Sequence, residues 1–179
     1  MRIATKSGDK GKTGRLYGTR VSKASAVMHA VGDIDELNAA IGLLKAELVK
    51  YKAYRSFIAE IQHKLTLFMG EIAAESDKRA EYVEKYDHIK DTDLEALDTK
   101  VDELQDNPDL DQQGWVLYGE TKLGSLSDFA AKVCRRSERA FLSAMAAENA
   151  EARPVLLKYI NRLSDFLHLL ARYFDCYTK

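Results

Sequence analysis

Pro154-Val155-Leu156-Leu157-Lys158-Tyr159-Ile160-Asn161-Arg162-Leu163-Ser164-Asp165-Phe166-Leu167-His168-Leu169-Leu170-Ala171-Arg172-Tyr173-Phe174 is the stretch that decides the fold. Leu156, Leu157, Ile160, Leu163, Phe166, Leu167, Leu170 and Phe174 recur at steps of three and four, the spacing that lines one side of an α-helix. Proline stands at its head, where a first helical turn has no use for the missing N–H. The apolar face leaves only a narrow polar stripe, Asn161, Asp165, His168 and Arg172. Such a helix is close to central, and each polar group it turns inward must find a partner or cost about 1–3 kcal/mol. A network between helices accounts for Asp165 and Arg172. His168 reads as a core or interface histidine before a metal ligand, and Asn161, at the start of the stripe, can as readily face a ligand as join such a network.

The same period runs through four earlier segments. Val27, Val31, Ile34, Leu37, Ile41, Leu44 and Leu48 predict a long first helix with Ser22 as its cap, and Phe57, Ile58, Ile61, Leu65, Phe68, Met69 and Ile72 predict a second. Thr92-Asp93-Leu94-Glu95 reads as a capping box ahead of Leu94, Leu97, Val101 and Leu104, a helix that stops at Asn107-Pro108. The fourth helix carries Leu126, Phe129, Ala130, Val133, Ala140, Phe141 and Ala144 on one side, and Asp128, Lys132, Arg135, Arg136 and Arg139 on the other. Residues 76–90 are charged and weakly periodic. Residues 109–124 read as a loop with a short apolar centre, Trp115-Val116-Leu117-Tyr118, and loops of this length are usually functional or mobile. With two prolines in the chain and no alternating strand pattern, the expectation is an all-α, up-down five-helix bundle with a Gly-rich N-terminal segment. It forms one domain over residues 1–179, large enough to bury roughly 70% of its unfolded surface.

The formal net charge of -1 argues against a protein built to coat nucleic acid. No apolar run reaches the roughly 18 residues of a membrane span, and the N-terminus lacks the apolar core of a secretion signal, so a cytoplasmic protein is expected. Cys134 and Cys176 have no metal-binding spacing and fall in helical patterns, which makes buried thiols the plain reading.

Three charged segments stand out. Thr5-Lys6-Ser7-Gly8-Asp9-Lys10-Gly11-Lys12-Thr13 is no P-loop, because Gly8 and Gly11 are too close together to wrap a phosphate and no strand precedes them. Gly8, Gly11 and Gly14 still allow successive N–H groups to converge on an anion; a frayed basic tail is the alternative. Arg135-Arg136-Ser137-Glu138-Arg139 reads either as a solvated salt-bridge ladder or, with three guanidiniums to one carboxylate, as a phosphate-binding face. Asn161-Arg162-Leu163-Ser164-Asp165 lies on the last helix. No Ser/His/Asp or Cys/His set offers a side-chain nucleophile.

In this order the segments resemble the PduO-type ATP:cob(I)alamin adenosyltransferase family over nearly the full chain. The matching residues are those from Thr5 to Thr13, Lys23, Gly32-Asp33-Ile34-Asp35-Glu36-Leu37-Asn38, Val133-Cys134 with Arg135 to Arg139, and Tyr159 to Leu167. The resemblance implies a homotrimer that binds ATP and the corrinoid at each subunit interface. It also implies transfer of the 5'-deoxyadenosyl group from ATP to the cobalt of cob(I)alamin, with triphosphate leaving. By position, Thr5, Lys6, Ser7, Gly8, Thr13 and Gly14 would hold phosphates and ribose and Lys23 the phosphate chain. Arg135, Arg136, Ser137, Glu138, Arg139 and Asn161 would complete the ATP pocket, with Mg2+ bridging phosphate oxygens and no metal ligand from the protein. Arg135 would be the leading electrostatic stabiliser of the departing charge.

Two departures fall on the corrinoid side. The loop before the fourth helix usually carries a Phe, then Pro and a Gly pair, whereas Trp115 to Lys122 here lack the Pro and the glycine doublet; Trp115 and Val116 would supply the apolar wedge. Lys132 stands where the resemblance implies an Arg that pairs across subunits with the acid at Asp35, and lysine lacks the planar fork. The altered 115–122 loop keeps an alternative open, a non-catalytic ATP-binding or corrinoid-handling protein. A structural helical module is a further one.

Overall fold

The computed structural model of the chain describes residues 6–110 and 116–178. It is mostly helical, with six α-helices and one two-stranded sheet among the described residues. The helices are α1 (Ala26–Glu47), α2 (Lys52–Ala73), α3 (Arg79–Lys85), α4 (Asp91–Gln105), α5 (Lys122–Ala147) and α6 (Pro154–Tyr177). The five periodic segments correspond to α1, α2, α4, α5 and α6. The seven-residue α3 follows a single 3-10 turn at Ser76–Lys78, inside the stretch whose periodicity was too weak to read.

α1 packs on α5 and α2, α5 packs on α6, and α6 on α4. Side-chain contacts give the directions. Glu47 near the end of α1 meets Lys122 at the start of α5 (2.8 Å), and Asp33 accepts a hydrogen bond from Ser137 (2.8 Å), so α1 and α5 run oppositely. Asn161 beside Glu138 and Arg172 beside Asp128 make α5 and α6 antiparallel as well, whereas Asp98–Arg162 and Asn107–Tyr177 make α4 and α6 parallel. The core is continuous, and T-shaped aromatic pairs cross it, Phe68–Phe141 at 5.0 Å and Phe57–Phe166 at 5.4 Å. Each such pair adds about 0.5–1.5 kcal/mol beyond its burial.

Several expectations need correction. Ser25, not Ser22, occupies the N-cap position of α1, without a side-chain capping bond. Ser22 ends a strand, because Lys12–Gly14 (β1) and Arg20–Ser22 (β2) pair antiparallel with Thr13 opposite Val21. Three-residue strands are too short to show alternation, and the left-handed Gly18 (φ 100°) turns the chain between them. α4 begins at Asp91, and its N-terminal carboxylate is Asp93, which accepts from the Lys90 N–H at 2.9 Å, so the predicted box on Thr92 and Glu95 is off register. α5 starts at Lys122 and takes the last three residues of the predicted loop, with the Thr121 hydroxyl accepting from the Gly124 N–H. Phe129 is half exposed and Asp128 is buried, the reverse of the predicted faces, because α5 is covered on two sides, by α1 and α6. Cys134 is buried but Cys176 is exposed.

Candidate functional site

The N-terminal segment is built around β1 and β2. The Gly11 N–H donates to the Gly8 carbonyl at 3.1 Å, the Asp9 N–H to that of Lys6 at 3.3 Å, and the Lys23 N–H to Gly11 at 2.9 Å. Lys6 and Gly11 both lie in the left-handed region (φ 58° and 71°), so the chain curls tightly at each end of this turn. A Cβ on Gly8 would lie 2.8 Å from the Lys23 ammonium. Glycine is thus what lets Lys23 approach the loop backbone. Arg20, which sequence reading had passed over, ties the segment down by donating to the carbonyls of Ser7 (2.8 Å) and Lys12 (3.1 Å). The segment is therefore folded back on itself among the described residues, and the frayed-tail alternative does not hold for residues 6–14. Thr13 and Gly14 lie in β1. Thr5 lies outside the described residues.

The root of the sheet is fixed to the bundle. Arg15 donates to the carbonyls of Ile72, Ala73 and Ala74, the last at 2.6 Å, where the end of α2 leaves acceptors without helical partners. Its guanidinium also pairs with Glu148, a carboxylate shared with Arg79. Glu75 accepts from the Tyr17 and Thr19 N–H groups, both at 3.2 Å, and from the Thr19 hydroxyl. Burial pushes the Glu75 carboxyl up, but the hydrogen bonds from the Thr19 hydroxyl and from the backbone N–H groups of Glu75, Thr19 and Tyr17 outweigh it and hold its pKa down to about 2.

The second cationic group lies on the α5–α6 face. Arg135 is half exposed and approaches Asp165 only to 3.5 Å. Arg139 donates to the Arg135 carbonyl at 3.1 Å, and the Asn161 amide to Glu138 at 3.3 Å. Arg136 points the other way, to Glu36 and Asp33 of α1. The Asn161 and Arg136 contacts run between helices and Arg139 reaches only a backbone carbonyl of α5, so among the described residues no salt-bridge ladder forms along α5. Ser137 is fully buried, its hydroxyl donating to the Asp33 and Val133 carbonyls, which puts it in the α1–α5 contact rather than at a ligand surface. Burial pushes the neighbouring Cys134 thiol up, so it stays protonated.

Arg15 at the root of the sheet touches Glu148 just beyond the end of α5, and Arg135 lies roughly 20 Å back along that helix at ~1.5 Å per residue.

On the side expected for the corrinoid, Val116 is half-buried and Asp35 is exposed. Lys132 lies 3.8 Å from Asp128 and 4.5 Å above the Tyr118 ring, so its charge already has partners within the chain. Trp115 lies outside the described residues. Arg172 and Asp165 both make contacts between helices as expected, Arg172 with Asp128 and Asp165 with Arg135, while Asp175 joins Arg172 from its own helix; the sequence reading missed Asp128 as a partner because it looked like a surface residue.

Such a division, a glycine turn with a closely held lysine and a separate arginine face, agrees with the family whose model, cobalamin adenosyltransferase, matches residues 3–174. The chain belongs to the cobalamin adenosyltransferase family. It is 35% identical to corrinoid adenosyltransferase PduO of Citrobacter freundii over 96% of its own length and 49% of that protein. It is also 35% identical to the corrinoid adenosyltransferase of Bacillus subtilis, over 96% of the chain and 86% of the relative. The chain thus spans about half the length of the PduO relative and most of the second. A variant PduO-type ATP:corrinoid adenosyltransferase from Lactobacillus reuteri, complexed with cobalamin and ATP, superposes with a TM-score of 0.85 at 28% identity, covering 97% of this chain and 91% of that one.

Proposed function

We propose that this member of the family is an ATP:corrinoid adenosyltransferase of a single domain over residues 1–179, an up-down bundle of the five long helices with the Gly-rich segment packed on one end. Cobalt(I) of the reduced corrinoid supplies the electron pair for a new Co–C bond to the ribose C5'. The C5'–O bond breaks and triphosphate leaves with its electrons. The protein need only orient the two substrates and stabilise departing negative charge.

The Gly8–Lys23 approach is the observation that carries this reading. It leaves an ammonium and a bare glycine backbone together at an exposed turn, a polyphosphate-binding chemistry. Thr5, Lys6, Ser7, Thr13 and Gly14 are the other members of that half-site. Arg135, Arg136, Glu138, Arg139 and Asn161 form the second half, with buried Ser137 bracing it from below. Arg135 lies roughly 20 Å along α5 from Glu148, where Arg15 fastens the Gly-rich segment, so a triphosphate held by that segment can draw Arg135 from a second copy of the chain. This supports a homotrimer with its sites at the interfaces, where Asp35 and Lys132 lie, and Trp115 and Val116 on the corrinoid side. Mg2+ would be carried on the phosphate oxygens of the nucleotide, a binding mode that asks for no protein carboxylate cage. No described helix is long and apolar enough to cross a membrane; a cytoplasmic location is part of this proposal.

The test follows corrinoid absorbance while the purified protein, ATP, Mg2+ and cob(I)alamin are mixed under strong reductant. The expected outcome is conversion to the alkylcobalamin spectrum with stoichiometric triphosphate. Arg135→Ala should lose about 10²–10³ in kcat, the loss seen when a transition-state donor is removed, with the helical circular dichroism unchanged. Saturable ATP binding without turnover would favour the non-catalytic reading, and near-parental turnover in Arg135→Ala would remove that residue from the mechanism.

A further inference from the structure

Beneath the start of α5 lies a cluster that the phosphate chemistry does not use. Asp128, Arg172 and Asp175 are each at most 4% exposed. Arg172 pairs with Asp128 and, at 3.2 Å, with Asp175. Asp175 accepts from both the Thr121 N–H (3.2 Å) and the Thr121 hydroxyl (3.0 Å), tying the end of the 116–121 segment to α6. A Cβ on Gly124 would come within 2.0 Å of the Asp175 carboxylate, so glycine at that position is what admits the contact.

Two buried carboxylates face one buried guanidinium, and Asp128 is further met by the His168 ring at 3.5 Å and, at the rim, by the Lys132 ammonium at 3.8 Å. The Tyr118 ring then covers both cations, lying 4.5 Å from the Lys132 ammonium and 5.9 Å from the Arg172 guanidinium. Aromatic cover of this kind attracts the cations directly and removes water, which strengthens the ion pairs beneath. Tyr118, Gly119, Ser125, Asp128, Phe129 and Lys132 also line a cavity of about 310 Å³. Half-exposed Tyr118 and Phe129 offer it apolar ring surface.

We propose that Tyr118, latched over Lys132 and Arg172 and anchored through Thr121 and Asp175, is a positioning residue that sets the corrinoid-side cavity; this rests on the adenosyltransferase reading. The latch determines how the apolar face of a macrocycle meets the enzyme. It has no part in phosphate binding, so the two substrates separate in its test.

The test compares Tyr118→Leu, Tyr118→Phe and Asp175→Asn in the full chain with saturating ATP. Leucine removes the π face and should raise the corrinoid KM about five- to tenfold, with the ATP KM unchanged and phenylalanine restoring the parental value. Amide exchange at residues 117–121 should quicken at least tenfold in Tyr118→Leu and Asp175→Asn but not in Tyr118→Phe. Equal rises in both KM values, failure of phenylalanine to restore, or unchanged exchange in Asp175→Asn would each overturn the latch. A parent protein that makes no adenosylated corrinoid instead removes the adenosyltransferase reading, while the exchange measurement still decides whether the anchor exists.

Discussion

Glu148→Gln is the substitution that best tests how the N-terminal segment is held on the bundle. Glu148 is one carboxylate between two guanidiniums, Arg15 and Arg79, and all three side chains are at most 14% exposed. Glutamine keeps the shape and one carbonyl acceptor but removes the charge, so two neighbouring cations remain with nothing negative between them. Breaking a buried pair by deleting one partner costs about 3–5 kcal/mol. Here the lower end applies to Arg15, which keeps the Ala74 carbonyl at 2.6 Å and the partial negative charge at the end of α2. Arg79 keeps only a long contact to the Ile72 carbonyl, 3.5 Å, and the Met145 sulfur.

The net expectation is a loss of about 3 kcal/mol, or roughly 6–12 °C in Tm for a chain of this size. Urea unfolding at fixed protein concentration reads it, since any assembly makes the apparent stability depend on concentration. A double-mutant cycle with Arg15→Met isolates the pair: the cycle should show coupling of about 1–2 kcal/mol, because removing Arg15 relieves half of the uncompensated charge. A Glu148→Gln protein within about 0.5 kcal/mol of the parent, the range of ordinary surface substitutions, would refute the claim that this carboxylate fastens the sheet. Coupling near zero would refute the shared-charge account even if the single variant were unstable.

Two further outcomes follow from the same region. Gly8→Ala places its methyl 2.8 Å from the Lys23 ammonium, the free end of a flexible side chain; the fold should keep its Tm, while ATP binding measured by calorimetry weakens as Lys23 is displaced, and unchanged ATP affinity would take Lys23 out of the half-site. Glu75 has its folded pKa lowered from 4.5 to about 2, so its contribution to stability is complete above the unfolded value and is lost as pH falls through about 4.5 toward 2; Glu75→Gln should flatten the acid limb of the stability curve over that window, and an unaltered limb would contradict the assignment.

The helices were legible because burial on one side writes a period into the sequence. α6 and α2 read correctly almost residue by residue. α5 did not, since it is covered by α1 on one side and α6 on another, and a helix buried on two sides no longer separates into an apolar and a charged face. Asp128 was assigned to solvent for that reason, although its partner Arg172 had been recognised as needing one. β1 and β2 left no signal at all: what holds them is Arg15, Arg20 and Glu75, three charged residues whose partners are backbone groups and distant side chains, and local sequence carries no record of either. The same limit hid α3, whose seven residues span too few turns to establish a period.

The proposed polyphosphate site was legible in its residue types but not in its geometry, and the ion pairs explain the difference. Arg15, Arg79, Arg153 and Arg172 each have a close carboxylate partner in their own chain. Arg136 has Glu36 and, more distantly, Asp33. Arg135 and Arg139, one turn apart on α5, have only a 3.5 Å approach to Asp165 and a backbone carbonyl. A guanidinium already held by a buried carboxylate must break that pair to bind phosphate, at a cost comparable to the gain, whereas a half-exposed one with a weak partner gives up little. Spacing along the sequence treats all these arginines alike. Their unequal commitment sets Arg135 and Arg139 apart from Arg136, Arg162 and Arg172 on the same two helices, which is why we propose those two as the guanidiniums that meet the polyphosphate.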